Sequence, residues 1–245
     1  MKFSILVPTC NRPNLLRSTL TSLVNLNHQD YEIIISDNNS TIETRNIVEE
    51  FSHSRKIQYH YHDKRMGLCD HWDWMSKQGT GEFVIICCDD DGVDINILNI
   101  LEETIKKQNS CLLSWKVGLF YHEDWPDAEF KNHILCQGIP SFTCQRVDIK
   151  GLISRYANFD RNLFPESTRF CYSRELGEKV RSLTGRLFWP LAIDLTTPLL
   201  MLNQLDNGQY HFLDWYLGFG GRSSDSNAAG YDKSVNERSQ NKRAN

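Results

Sequence analysis

Short apolar runs alternate with amphipathic stretches along the first hundred residues, and a polar cluster marks each change. Residues 3–7 read as a first strand, closed by Pro8. The polar loop 8–13 leads into a helix, because Leu16, Leu20, Leu23 and Val24 recur at i, i+4, i+7 and i+8 on one helical face. Residues 31–36 carry three consecutive isoleucines and break at Asp37, Asn38, Asn39 and Ser40, a second strand and its turn. Ser40 and Glu43 have the S-x-x-E spacing of a capping box, ahead of a helix that buries Ile47, Val48 and Phe51. Residues 57–62 alternate and predict a third strand, 63–67 a loop and 70–77 a short helix rich in tryptophan.

The rest of the chain turns on residues 81–92. Consecutive apolar residues after Glu82, several of them β-branched, predict a strand buried on both faces. Three carboxylates arrive together at its end, Asp89, Asp90 and Asp91, and Gly92 follows as the residue that lets the backbone turn. Clustered aspartates at the rim of a sheet suit a hard cation such as Mg²⁺ or Mn²⁺, which take oxygen ligands and share them with phosphates. The alternative is that the run only ends the strand and caps the next helix. Asp94 already suits that cap, before Ile97, Leu98, Leu101 and Ile105 in a helix over 94–107.

Strand, loop, helix in repetition predicts an α/β fold with a mostly parallel central sheet flanked by helices. In such sheets the carboxyl ends of the strands share one rim, where ligands bind. Three polar clusters fall there, within 9–12, 37–40 and 89–91. Neither the dinucleotide nor the P-loop glycine fingerprint is present.

After an apolar run over 112–120 the pattern is less regular. Residues 121–130 are acidic and aromatic and predict an exposed loop. Residues 188–194 lead into a helical run over 195–205 with Leu195, Leu199, Leu202 and Leu205 on one face and Asp194 at its start. Residues 210–217 read as a late strand, 218–227 as a flexible polar stretch, and the tail after Tyr231 as frayed. His211 reads as a packed or exposed strand residue. Trp72, Trp74 and Trp125 could pack in the core or stack on a sugar ring.

Composition narrows the function. With 245 residues, 40% hydrophobic and 24% charged, the chain suits one large domain or two intimate halves. A net charge of −4 offers no basic field for nucleic acid. The first residues are too weakly apolar for a signal peptide, and no run approaches the roughly 18 apolar residues of a membrane span. The expected location is the cytoplasm, with the inner face of the membrane left open. None of the eight cysteines forms a C-x-x-C pair, so reduced thiols without zinc chemistry are expected.

In order and spacing, the segments 3–12 (FSILVPTCNR), 33–40 (IIISDNNS) and 81–91 (GEFVIICCDDD) resemble family 2 glycosyltransferases of the GT-A fold. The resemblance is strong to about residue 105 and weak beyond. It implies a single domain over 1–245, with a nucleotide-sugar-binding half (1–108) merged with an acceptor-binding half (109–230) and a polar tail (231–245). It implies inverting transfer of a sugar from a nucleotide-diphosphate donor to an acceptor hydroxyl of a saccharide or lipid-linked saccharide, with Mn²⁺ or Mg²⁺. Surface polysaccharide synthesis, with peripheral membrane association, is the setting it suggests. Matched by position, Pro8, Thr9, Asn11, Arg12, Asp37, Asn38, Arg65, Gly67, Asp89 and Asp90 would bind the donor. Asp91 and Asp89 would hold the metal, with Asp89 nearer the ribose, and Asp194 would be the general base. A faint match makes 220–227 a flexible loop near the active site.

The chain departs from the family where His71 replaces an asparagine, and where Asn39 or Ile42 stands in place of an aspartate. Each assignment also has a plainer reading: Asp194 as a helix N-cap, Asp37 as a turn residue, Arg12 and Arg65 as solvated charges. Two other functions compete, a non-catalytic nucleotide-sugar binding protein and a nucleotidyltransferase. The latter expects a glycine-rich basic loop after the first strand, and residues 8–12 are not one.

Overall fold

In the computed structural model, residues 2–166, 168–190 and 192–224 are described. The first half runs β1 (Phe3–Thr9), α1 (Pro13–Val24), β2 (Tyr31–Asp37), α2 (Ile42–Glu50), β3 (Ile57–Tyr61), α3 (Leu68–Met75), β4 (Phe83–Ile86), β5 (Gly92–Val93) and α4 (Ile97–Gln108). The second runs β6 (Leu112–Tyr121), β7 (Ile134–Leu135), β8 (Cys144–Arg146), α5 (Ile149–Ala157), β9 (Phe170–Ser173), α6 (Arg174–Thr184), α7 (Ile193–Leu202) and β10 (Tyr210–Arg222).

One sheet carries strands of both halves, in the order β3-β2-β1-β4-β9-β6-β10-β5. β3, β2, β1 and β4 pair in parallel, as do β6 and β10. β9 lies antiparallel between β4 and β6 and welds the two parallel blocks together.

Alternation along the strands explains the continuous apolar runs. Ile5, Val7, Ile33, Ile35 and Ile85 point to one face, packed with α1, α2 and α4 residues such as Leu16, Leu20, Ile47 and Leu101. Leu6, Ile34, Val84 and Ile86 point to the other, packed with Trp72, Met75, Leu152, Leu176 and Leu202. Both faces are covered, so each position is apolar and the carboxyl ends stay on one rim.

Several boundaries differ from the sequence expectation. The capping box at Ser40 does not form: α2 is capped at Thr41, and the Ser40 hydroxyl accepts from Asn11 N instead (2.8 Å). α4 begins after Asn96, and Asp94 accepts from Asn96 N in a turn rather than capping the helix. Gly92 is an extended residue of β5 paired with Phe219, so it is not a turn glycine. Residues 218–222, expected to be flexible, continue β10 against β6 and β5. Ser223 and Ser224 hydrogen-bond to Asp124, and residues 225–227 and the tail lie outside the described residues. In the loop after β6, His122 is buried rather than exposed. Trp72 joins the core, Trp74 packs edge-on to His62, and Trp125 packs edge-on to Tyr121.

The rim opposite the site is locked by a buried carboxylate. Glu32 accepts from Ser4 Oγ (2.8 Å), Thr80 N (2.5 Å) and Gly81 N (3.1 Å), and pairs with Lys2 Nζ (3.1 Å). Burial opposes its charge, but these hydrogen bonds prevail and hold the carboxyl down at about 2. A depressed carboxyl stabilises the fold above its unfolded value of 4.5, and that contribution is lost as pH falls toward 2. Glu32→Gln should therefore cost about 2 kcal/mol at neutral pH. The gap in melting temperature between variant and parent should close below about pH 3. Thermal melts at the two pH values check this.

Candidate active site

The carboxyl ends of β1 and β4, the end of β10 and the start of α7 enclose a cavity of about 810 Å³. That is the size range of nucleotide-type ligands. Its wall includes Pro8, Thr9, Arg12, Asn38, Arg65, Gly67, Asp89, Asp90, Asp91 and Asp194, ten of the residues expected from sequence. The fold thus brings together side chains nearly the whole chain apart.

Two expected donor residues, Asn11 and Asp37, lie outside this wall. Asn11 adopts a left-handed φ of 55°, donates its N–H to Ser40 Oγ and accepts from Thr41 N (2.9 Å). Asp37 accepts from Ser40 N (2.8 Å) and Tyr59 OH (2.6 Å), with no surface exposed. Both hold the turn after β2 in place. Asn38 does line the cavity, and its amide pins Met66 from both sides: Oδ1 accepts from Met66 N (2.8 Å) and Nδ2 donates to Met66 O (2.9 Å). It thereby fixes the loop that carries Arg65 and Gly67.

The three aspartates are not equivalent. Asp89 has one oxygen on Thr9 Oγ1 (2.8 Å) and the other on Arg12 Nη1 (3.0 Å). Burial still pushes its carboxyl up to about 6, against the pull of Arg12. Asp90 has a longer contact to Arg12 (3.5 Å), and burial raises it too. Asp91 is raised further, first by burial and then by the adjacent Asp90 charge; Gly221 N donates to its Oδ1 (3.0 Å).

This chemistry fits a divalent cation. Cys88, Asp90 and Asp91 each offer a ligand atom, and the three atoms lie within 4.8 Å of one another. Two half-buried, mutually repelling carboxylates are the hard oxygen donors that Mg²⁺ or Mn²⁺ prefers, and a cation between them removes the repulsion. Asp89, expected as a metal ligand, is outside that group because Thr9 and Arg12 take its oxygens. Asp90, expected to bind donor, is inside it.

Asp194 faces the same cavity from the other half of the chain. It sits in the first turn of α7, whose N-cap is Ala192 with a left-handed φ of 45°, so Asp194 is not the cap. Pro198 lacks the N–H that would reach the Asp194 carbonyl four residues back. Burial raises the Asp194 carboxyl, Glu166 raises it further, and Arg169 opposes both.

Sequence reasoning missed Arg169, which lines the cavity. Gly220, Gly221 and Arg222 line it too, in the stretch matched to a loop near the active site, but as the end of strand β10. His71 also lines it; burial pushes this imidazole down to about 4, so it is neutral, and its Nε2 pairs with Ser36 Oγ (2.8 Å). Among the described residues no helix is long and apolar enough to cross a membrane.

Residues 4–113 match glycosyl transferase family 2. The GalNAc(5)-diNAcBac-PP-undecaprenol beta-1,3-glucosyltransferase of Campylobacter jejuni is 35% identical over 92 residues, 37% of this chain and 30% of that protein. Glycosyltransferase GlyG of Streptococcus pneumoniae is 22% identical over 189 residues, 76% of this chain and 61% of that one. S. aureus TarS 1-349, solved in complex with UDP-GlcNAc, superposes with a TM-score of 0.72 over 94% of this chain and 61% of that one, at 19% identity. The chain therefore spans less than two thirds of the length of each of these relatives.

Proposed function

We propose that the chain, whose residues 4–113 match glycosyl transferase family 2 and which has the GT-A fold, transfers a sugar from a nucleotide-diphosphate donor to an acceptor hydroxyl, with inversion. The observation that carries this reading is one cavity holding Asp90 and Asp91 on one wall and Asp194 on another. Residues 1–108 would supply the donor side and 109–230 the acceptor side.

Inversion by direct displacement needs one base and no covalent sugar intermediate. An acceptor hydroxyl is a poor nucleophile until a carboxylate takes its proton. Asp194 does this: burial and Glu166 both raise its proton affinity, which makes it a stronger base than a solvated aspartate. On the donor side, negative charge grows on the departing nucleoside diphosphate. Arg65 and Arg222 line the cavity and attract it. A Mn²⁺ or Mg²⁺ held by Asp90 and Asp91 would supply further stabilisation of that charge. Asp89 keeps Arg12 and Thr9 in register beneath the donor.

The acceptor is read as a saccharide or a lipid-linked saccharide in surface polysaccharide assembly. The name of the Campylobacter jejuni relative, with its PP-undecaprenol, supports the lipid-linked form. Peripheral membrane association belongs to the same reading.

Asp194→Asn tests it. Turnover should fall about 10²- to 10⁴-fold. Donor binding, read as thermal stabilisation by UDP, GDP, CDP or dTDP with Mn²⁺, should stay within about twofold. Loss of turnover with binding intact separates the enzyme from a non-catalytic nucleotide-sugar binding protein. Undiminished turnover removes Asp194 as the base.

A further inference from the structure

The direction of a carboxylate at the end of a strand depends on the peptide planes behind it. Both carbonyls behind the raised carboxylates are held by side chains from distant elements. His122 Nε2 lies 3.0 Å from the Asp90 carbonyl oxygen, and Thr19 Oγ1 donates to the Asp91 carbonyl oxygen at 2.7 Å. We infer that Thr19 and His122 are positioning residues, which aim Asp90 and Asp91 into the cavity by holding the two carbonyls. The inference rests on the reading of these aspartates as the donor-side carboxylates.

Thr19 behaves unlike Ser18 and Thr21 on α1. Hydroxyl residues inside helices commonly bond back to the carbonyl four residues earlier. Ser18 does so to Asn14 O and Thr21 to Arg17 O. Thr19 instead turns its hydroxyl out of the helix, is 1% exposed, and crosses to the triplet. The same helix begins at Arg12, whose guanidinium holds Asp89 and Asp90. α1 therefore grips the triplet at two levels, charge on the carboxylates and hydroxyl on the carbonyl.

His122 is fixed from the opposite side. Its backbone N–H donates to Arg222 O (2.8 Å), and its ring meets Phe120 edge-on at 4.7 Å. Only an imidazole with its proton on Nε2 can donate to Asp90 O, so this contact selects the tautomer. Gly221 N holds Asp91 Oδ1 from the adjoining strand. A carbonyl released by either side chain lets its peptide plane rotate, and the carboxylate swings off Gly221.

Thr19→Val and His122→Leu keep the bulk and delete the donor, whereas Thr19→Ser and His122→Gln keep a donor. Hydrogen exchange of the full chain is measured without metal, alongside Mn²⁺ titration and thermal melts. The deleting variants should exchange about 3- to 10-fold faster within residues 87–93, with the amides of β1 and β2 still protected. Their Mn²⁺ affinity should fall by a similar factor, about 3- to 10-fold, and the conservative variants should recover both. Exchange that stays unchanged overturns the inference. So does exchange that rises evenly along the chain with the melting point, or that the conservative variants do not restore. Wild-type protein that binds no Mn²⁺ while its variants still loosen 87–93 upholds the clasp and overturns the metal reading instead.

Discussion

Asp91→Asn is expected to reduce transfer about a thousandfold or more, the several kcal/mol that a cation on a leaving diphosphate supplies. The fold should be no less stable. Asparagine matches the volume of aspartate, and its carbonyl can still accept from Gly221 N, now 3.0 Å from Oδ1. It gives up only the 3.4 Å contact between Cys88 N and Oδ2. What it removes is a buried charge that burial and Asp90 both oppose. The linkage has a definite sign. A carboxyl raised in the native state favours folding while it stays protonated, so stability falls as pH climbs from its ordinary 3.8 toward the raised native value. Metal-free parent protein should lose stability over that interval, and the variant should lose less. Melts of both proteins in chelator at about pH 5 and about pH 8 should show their gap widening in favour of the variant. A variant that melts well below the parent at both values would make Asp91 a structural residue. Near-normal transfer would remove it from the chemistry.

What could be read from the chain follows from where its contacts lie. β1, β2 and β4 were legible because helices cover both faces, which forces continuous apolar runs such as residues 33–35 and 83–86. Their polar ends then fall on one rim by topology alone. β9 is different. Its four residues pair with β4 and β6 across long stretches of chain, and no local periodicity announces them. Asn11 and Asp37 sit where donor residues are expected, but the turn after β2 has its own N–H groups at Ser40 and Thr41, and these two side chains satisfy them. Trp74 and Trp125 pack edge-on against His62 and Tyr121, and Trp72 packs in the core while also lining the cavity. His122 was hidden in an acidic, aromatic loop, since nothing local shows that its imidazole meets a carbonyl 32 residues earlier. Asp194 was legible as an aspartate at the start of an apolar helix, and the residues that bear on its charge, Glu166 and Arg169, were not.

The glycines carry the same lesson, and here the sequence points to the wrong one. Gly92 follows the aspartates and reads as the residue that lets the backbone turn, yet a Cβ built on it meets nothing within 4 Å. Gly221, in a stretch that reads as a loop, runs hard against the Asp90 main chain. A Cβ there would overlap the Asp90 carbonyl oxygen, come within 2.6 Å of its carbon and lie 2.9 Å from His122 Nε2. Neither the backbone of Asp90 nor the packed imidazole is a flexible end that can step aside. Gly221→Ala must therefore push β10 away from the triplet and pull its N–H off Asp91. It should cost about 1–3 kcal/mol of stability, the usual penalty of forced overpacking. Mn²⁺-dependent nucleotide binding and transfer should fall about a hundredfold or more, since a misplacement of an ångström costs that much. Gly92→Ala, at the residue next to Asp91, is the internal control and should keep both within about twofold. The two variants are compared by melts, Mn²⁺-nucleotide titration and transfer rate. If both lose activity alike, the requirement is for flexibility around the aspartates. If only Gly221→Ala does, it is for close approach of β10, and the active site is completed by a strand that the sequence disguises as a loop.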